Sequence, residues 1–260
     1  MTTHDQITRL TVEPLGGPTA ILEYAGLRWL TDPAFSPPGE YAGGLVKMTA
    51  PAVPADAIGS IDVVLLSHDH HSDNLDPGGR AYLPRAGRVL TTVAGAGRLG
   101  GNATGLEPWS SLDLTNPQRS VVTVTAVPAQ HGPDGSDEIM GPVIGFLLAA
   151  TGCDTVYVSG DNASLDVVRE IAERAGPVGV AVLFAGAVQR ASELDCAYLT
   201  LSSDHAADAA KILGVHTVVP LHYEGWTHFT QGPRELRAAF AGNGISDRLA
   251  LAEAGIRITA

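Results

Sequence analysis

The chain has 260 residues, 45% of them hydrophobic, and a formal net charge of −12. That is enough apolar sequence for a sizeable core, which excludes a disordered or disulfide-stapled small chain. The acidic balance, with no Lys/Arg cluster to offset it, argues against non-specific binding to nucleic acid or to an anionic membrane surface.

The start, "MTTHDQITRL", has no basic segment leading into an apolar one, so no signal peptide is expected; His4 lies in what reads as a loose terminus. The first third reads as strands over residues 7–12, 19–24 and 27–32, which are short, rich in β-formers and divided by Gly or Pro. "IDVVLLS" (61–67) is almost wholly apolar, as in a strand covered on both faces. Residues 88–93, 120–127, 143–149 and 154–160 continue as strands. Ser164 is expected to cap a helix running to about Ala175, and Ser203 one running through Leu213 to a stop at Gly214. Pro233 suits the first turn of a helix ending near Gly242. Between these helices, residues 178–186 and 216–222 read as strands. No Ser/Gly-rich linker, charge block or short repeat divides the chain, so residues 1–260 are expected to form a single domain. The expected architecture is α/β, sheet packed on sheet with helices outside. The longest apolar run, residues 143–150, is far short of the ~20 that cross a bilayer. Cys153 and Cys196 are far apart and make no CxxC, which fits a reducing, cytoplasmic setting.

Four apolar strands end in metal-competent residues. "VVLLS" runs into His68, Asp69, His70 and His71, with Asp73 close behind. "VTAVPAQ" ends at His131, "TVYVSG" at Asp161 and "TVVPL" at His222. A lone His after a strand is ordinarily a hydrogen-bonded loop residue, but three His with two Asp in six positions are hard to explain as a solvated face. Strand ends also converge at one edge of a sheet, where layered folds place their sites. Imidazole nitrogen and carboxylate oxygen suit Zn²⁺, and Mn²⁺ or Fe²⁺ accept the same set.

In this order the motifs "HDHHSDN", "AQHGP", "SGDN" and "PLHYEGW" resemble those of the metallo-β-lactamase superfamily. "LTDP" around Asp32 resembles the branch near the ascorbate-6-phosphate lactonases and the N-acylphosphatidylethanolamine phospholipases D. The likeness runs from about Leu10 to His222. It implies an αββα sandwich of two mixed sheets flanked by helices. It also implies a hydrolase of a small ester, lactone or phosphodiester, with a metal-bound hydroxide as nucleophile. One metal would take His68, His70 and His131; Asp161 would bridge to a second, held by Asp73, residue 74 and His222. Asp73 and Asp161 are then candidate catalytic residues as well as ligands.

Two features depart from the family pattern. His68 and Asp73 are five residues apart where the family has four, so His70 and His71 remain alternatives for the second ligand. Asn74 stands where a further His belongs, and its neutral amide is a poorer ligand, so the first site is expected to be strong and the second weakened. Asn74 could instead orient Asp73 or a water. In "HYEGWTHF", His228 or Tyr223 is a candidate proton donor to the leaving group, with a packed loop as the alternative. Asp32 is either a carboxylate near the metal or part of an Asp-Pro turn; His205 and His216 read as structural. A metal- or ligand-binding protein without hydrolysis is the main alternative function. The glycines Gly95, Gly97 and Gly100 form G-x-G-x-x-G after a strand, but no helix is expected there and the next strand lacks a terminal acid, which argues against a dinucleotide-dependent oxidoreductase.

Overall fold

Alternation along the apolar strands sets the layering. The computed structural model describes residues 9–189 and 194–260. One sheet contains β1 (Thr11–Gly16), β2 (Thr19–Tyr24), β3 (Leu27–Thr31), β6 (Val63–Leu65), β7 (Arg88–Thr92), β8 (Ala103–Leu106) and β15 (Ile258–Thr259). Its order is β15-β1-β2-β3-β6-β7-β8. The second contains β9 (Ser111–Thr115), β10 (Val121–Ala129), β11 (Val143–Ala150), β12 (Val156–Val158), β13 (Val180–Phe184) and β14 (Thr217–Leu221). It is ordered β14-β13-β12-β11-β10-β9. A separate hairpin pairs β4 (Gly39–Tyr41) with β5 (Leu45–Lys47).

In β13, Val180, Val182 and Phe184 enter the core between the sheets, while Ala181 and Leu183 face the helices. In β6, Val63 and Leu65 point inward and Val64 outward. Period-two alternation with both faces apolar is what a doubly covered strand requires. Helices α4 (Leu165–Arg174), α5 (Ser203–Leu213) and α6 (Pro233–Gly242) cover one sheet through Val168, Ile171, Ala206, Ala210, Leu236 and Phe240. On the other side α1 (Pro77–Tyr82) contributes Tyr82 to a cluster with Ile21, Leu30 and Val89, and the short α3 (Asp137–Met140) buries Met140 beside Val188 and Leu199. The order of layers is therefore α, β, β, α, as expected.

Three local expectations need correction. Among the described residues the first strand begins at Thr11, with Arg9 and Leu10 outside it, and contains Pro14. The turn at Gly17–Pro18 sets its register against β2, with an irregularity between Pro14 and Gly16 that tolerates the proline. Residues 1–8, with His4, lie outside the described residues. Ser202, not Ser203, caps α5, because its Oγ lies within reach of the His205 N–H three residues on. A helix does follow β7: α2 (Val93–Leu99), capped by Thr92. Gly95 lies inside it and Gly100 ends it, so the glycines do not form the loop before a helix that a pyrophosphate needs.

The loop behind the His/Asp run is fixed by Asp76. Its carboxylate accepts from Gly79 N (2.7 Å), Phe35 N (2.9 Å), Ser36 N (2.7 Å) and Lys47 Nζ (3.1 Å). Burial lowers the Lys47 pKa even with Asp76 opposing it. Asp76→Ala is expected to cost about 3 kcal/mol or more, as removal of one partner of a buried ion pair does. Denaturant unfolding checks this; a change below about 1 kcal/mol, the scale of a surface pair, contradicts it.

Candidate metal centre

The strand directions bring the chemistry together. β12, β13 and β14 are parallel, and β10 shares their direction because β11 is antiparallel to both β10 and β12. The residues following β10, β12 and β14 therefore emerge at one edge. The loop after β6 meets them from the other sheet, where Ile144 N donates to Ser67 O at 3.2 Å.

His68 is fully buried, and a chain of hydrogen bonds orients it. Asp32 accepts from Ser67 N (2.6 Å) and Ser67 Oγ (2.7 Å). With its only hydrogen committed to Asp32, Ser67 Oγ accepts from His68 Nδ1 at 2.9 Å. The proton on Nδ1 leaves Nε2 with its lone pair facing the centre. Burial, then the imidazoles of His71 and His131, push the His68 pKa well below its usual value, so the ring is neutral, the form a metal needs. Burial also pushes the Asp32 pKa up to about 7, against the opposing hydrogen bonds from Ser67. Ser67→Ala is expected to weaken metal binding about 10–100-fold, as loss of a ligand's outer partner does. Calorimetric titration measures it, and unchanged affinity would remove Ser67 from this role.

His131 is held similarly. Its Nδ1 donates to the Leu199 carbonyl at 2.6 Å, leaving Nε2 3.5 Å from Asp161 Oδ2. Asp161 follows Gly160, whose φ is +57 and whose place a Cβ could not share, since it would meet Ile144 O at 2.7 Å. Asp161 is fully buried between two groups. Oδ2 faces His131 and His68, at 3.5 and 4.0 Å; Oδ1 lies 3.5 Å from His222 Nδ1.

His222 directly follows β14 with φ +60, its N–H bonded to Gly17 O at 2.8 Å. Its backbone is pressed against Gly186, where a Cβ would stand 2.1 Å from His222 O. Its Nε2 lies 3.2 Å from Asp73 Oδ2, which also accepts from His228 Nε2 at 2.9 Å. Burial alone would raise the Asp73 pKa, but the imidazoles of His222 and His228 beside it hold it well below the usual range. Burial alone would lower the His222 pKa, but Asp161 and Asp73 outweigh it and raise it.

The two alternatives in the His run have different surroundings, although ligand atoms of His68, His70 and His71 lie within 4.8 Å of one another. His71 Nδ1 lies 2.9 Å from His68 Nε2, and His71 lines the central cavity with Asp73, His131 and His228. His70 is exposed, and its Nε2 donates to the Met140 carbonyl at 2.5 Å. Asn74 Oδ1 is buried with no hydrogen-bond partner. The amide Nδ2 donates to Asp32 Oδ2 (3.1 Å) and Asp161 Oδ1 (3.2 Å), so it supports Asp161 rather than Asp73. Asp32, far from forming only an Asp-Pro turn, is a hub of this support. Tyr223 is not at the site, since its hydroxyl donates to Ala252 O at 3.3 Å. His216 is exposed and pairs with Asp154. Sequence reasoning misses Ser67 and the Leu199 carbonyl. The only signal for Ser67 is its place beside His68, and a backbone carbonyl gives none.

Two groups offer ligand atoms mutually within 4.8 Å through the shared Asp161: His68 with His131, and Asp73 with His222. Asp161 Oδ2 and both ring nitrogens of His222 are buried without a hydrogen-bond partner. Each such atom costs about 1–3 kcal/mol unless a partner compensates it. Nitrogen and carboxylate donors aimed at one another fit a divalent transition cation.

A fold of two stacked mixed sheets with this edge cluster defines the metallo-β-lactamase superfamily. A family model described as a beta-lactamase superfamily domain matches residues 28–223, and the chain belongs to that superfamily. A UPF0173 metal-dependent hydrolase from Pyrococcus abyssi is 25% identical over 68% of this chain and 73% of its own. Another, from Anaeromyxobacter dehalogenans, is 28% identical over 82% of this chain and 72% of its own. Among solved structures, an isothiocyanate hydrolase from Delia radicum gut bacteria aligns with TM-score 0.81 at 21% identity, covering 95% of this chain and 98% of that one. A possible metal-dependent hydrolase from Veillonella parvula aligns with TM-score 0.83 at 18% identity, covering 98% and 100%. At these identities the structural likeness bears on the fold. Among the described residues no helix is long and apolar enough to cross a membrane.

Proposed function

We propose that the protein is a metal-dependent hydrolase of a small ester, lactone or phosphodiester. The carrying observation is the convergence of His68, His131, Asp161 and His222 from separate strand ends, with buried atoms of Asp161 and His222 that no hydrogen bond satisfies. His68, His71, His131 and Asp161 are the stronger ligand set, and zinc is the metal the donors favour, with Mn²⁺ or Fe²⁺ as alternatives. Asp73, Asp161 and His222 are the second set. A divalent ion in such a cluster supplies Lewis acidity and lowers the pKa of a coordinated water towards about 7. The chain's own part is to keep His68 neutral, to hold His131 by the Leu199 carbonyl, and to keep Asp161 between the two sets. The relatives' common description as metal-dependent hydrolases supports the reading.

The cavity between the clusters is about 20 Å³, roughly the space of one water, and is walled on its apolar side by Leu45, Met140, Val188 and Leu199. A small substrate is in keeping with that, and a cytoplasmic location with two widely spaced cysteines. The test is metal content followed by turnover. Untagged protein should carry a transition metal, lose it and its activity to a chelator, and recover both with Zn²⁺ or Mn²⁺. Substrates should include esters, lactones, phosphodiesters and an isothiocyanate. No metal uptake refutes the proposal; uptake without turnover of any class leaves a binding protein in its place.

A further inference from the structure

We propose that the substrate of this centre is uncharged and presents a short apolar group to a wall in which Met140 sets the length accepted. The inference rests on the metal-dependent reading above and narrows its substrate class.

The cavity lined by His71, Asp73, His131 and His228 is lined equally by Leu45, Met140, Val188 and Leu199. Met140, Val188 and Leu199 pack together as a buried cluster, and Phe229 extends it. The centre of the Phe229 ring lies 4.5 Å from that of His222 and 4.6 Å from that of His228, so apolar surface reaches the imidazoles. Among the described residues no Lys or Arg lines this cavity. Cations near it in sequence are committed elsewhere. Lys47 Nζ donates to Ala34 O (2.7 Å) and Asp76 (3.1 Å), Arg98 Nε to Asp69 Oδ2 (3.0 Å) and Arg80 Nη2 to Asp69 O (2.9 Å). A phosphoryl group carries charged oxygens that such cations ordinarily clamp. Against Met140 and Leu199 an oxygen of that kind would be desolvated with no partner.

Met140 is the adaptable member of the wall, unbranched and with three rotatable bonds where Val188 is stiff. Its backbone is fixed. The N–H donates to Ser136 O at 2.7 Å, and the carbonyl accepts from His70 Nε2 at 2.5 Å. Gly141 follows with φ +73, where a Cβ would meet His70 Nε2 at 2.7 Å. With Met140 in place the cavity is about 20 Å³, so a longer chain must displace that side chain. Truncation to Ala would free the space of about three heavy atoms.

Alkanethiols probe the wall, and cobalt(II), which accepts the same donors as zinc, reports them. Cobalt-loaded wild-type protein titrated with ethanethiol should develop a thiolate-to-cobalt charge-transfer band. Affinity should fall about tenfold or more on going to hexanethiol, which overfills the cavity. It should fall about tenfold or more for 2-mercaptoethanesulfonate, whose tail is charged. In Met140→Ala the longer thiol should gain about fourfold for each methylene that enters the freed space. Val188→Ala, in the same wall, should shift the preference the same way by less, and serves if Met140→Ala does not fold. The proposal is overturned if hexanethiol or the sulfonate binds wild type as tightly as ethanethiol does. It is overturned equally if the folded wall variants keep the wild-type order, or if wild type turns over bis(p-nitrophenyl) phosphate faster than p-nitrophenyl acetate. Failure of wild type to take up cobalt would instead refute the metal-dependent reading itself.

Discussion

Replacing Asp161 with Asn is expected to empty both halves of the centre at once. Asp161 is the one group shared by the two ligand clusters, its oxygens facing His131 and His68 on one side and His222 on the other. The substitution keeps the shape and removes the charge, leaving His222 with Asp73 as its nearest carboxylate. A ligand loss must exceed the 10–100-fold typical of an outer partner, and loss of a shared one acts on both ions. Metal retained after dialysis should fall below about a tenth of an equivalent, and hydrolysis about 10⁴-fold, some 5.5 kcal/mol of barrier. Elemental analysis and turnover are the readouts, with circular dichroism to show that the variant is folded. A folded variant that keeps a full equivalent would show that Asp161 holds neither ion.

His71→Ala and His70→Ala should differ sharply although the residues are neighbours. His71 meets His68 at 2.9 Å and lines the cavity, whereas His70 has its Nε2 on the Met140 carbonyl. Losing His71 should weaken the tighter ion about 10³-fold, beyond the range of an outer-partner change. Losing His70 removes one hydrogen bond at the rim and should change metal affinity less than about fivefold, of order 1 kcal/mol. Competition titration with a chromophoric chelator measures both. The reverse ranking would return the ligand role to His70.

The layering and the four strand ends with candidate ligands are legible in the sequence because they follow from local pattern. Strands such as Val180–Phe184 are apolar throughout, and His131, Asp161 and His222 each follow one directly or within three residues. The different surroundings of His70 and His71 are not legible, because they depend on a carbonyl 70 residues away in sequence. The orientation of Asn74 depends on Asp161, 87 residues away, and on the strand order that brings the two together. The hairpin of β4 and β5 escapes for a different reason. Its strands are three residues each, too short to show a period, yet it anchors the loop that carries His228.

Gly186 shows what such packing means for divergence. Nothing larger than a hydrogen fits where its Cβ would meet the His222 carbonyl at 2.1 Å, so the site depends on a residue with no chemistry of its own. Among descendants of this chain, a drift to Ala at 186 should mark lineages that have given up the centre even where every histidine and aspartate is still spelled out. Conversely, chains that have exchanged Asn74 or His70 while keeping this glycine should still carry the loop in place. A silent position thus serves as a better witness to a working centre than some of the reactive ones.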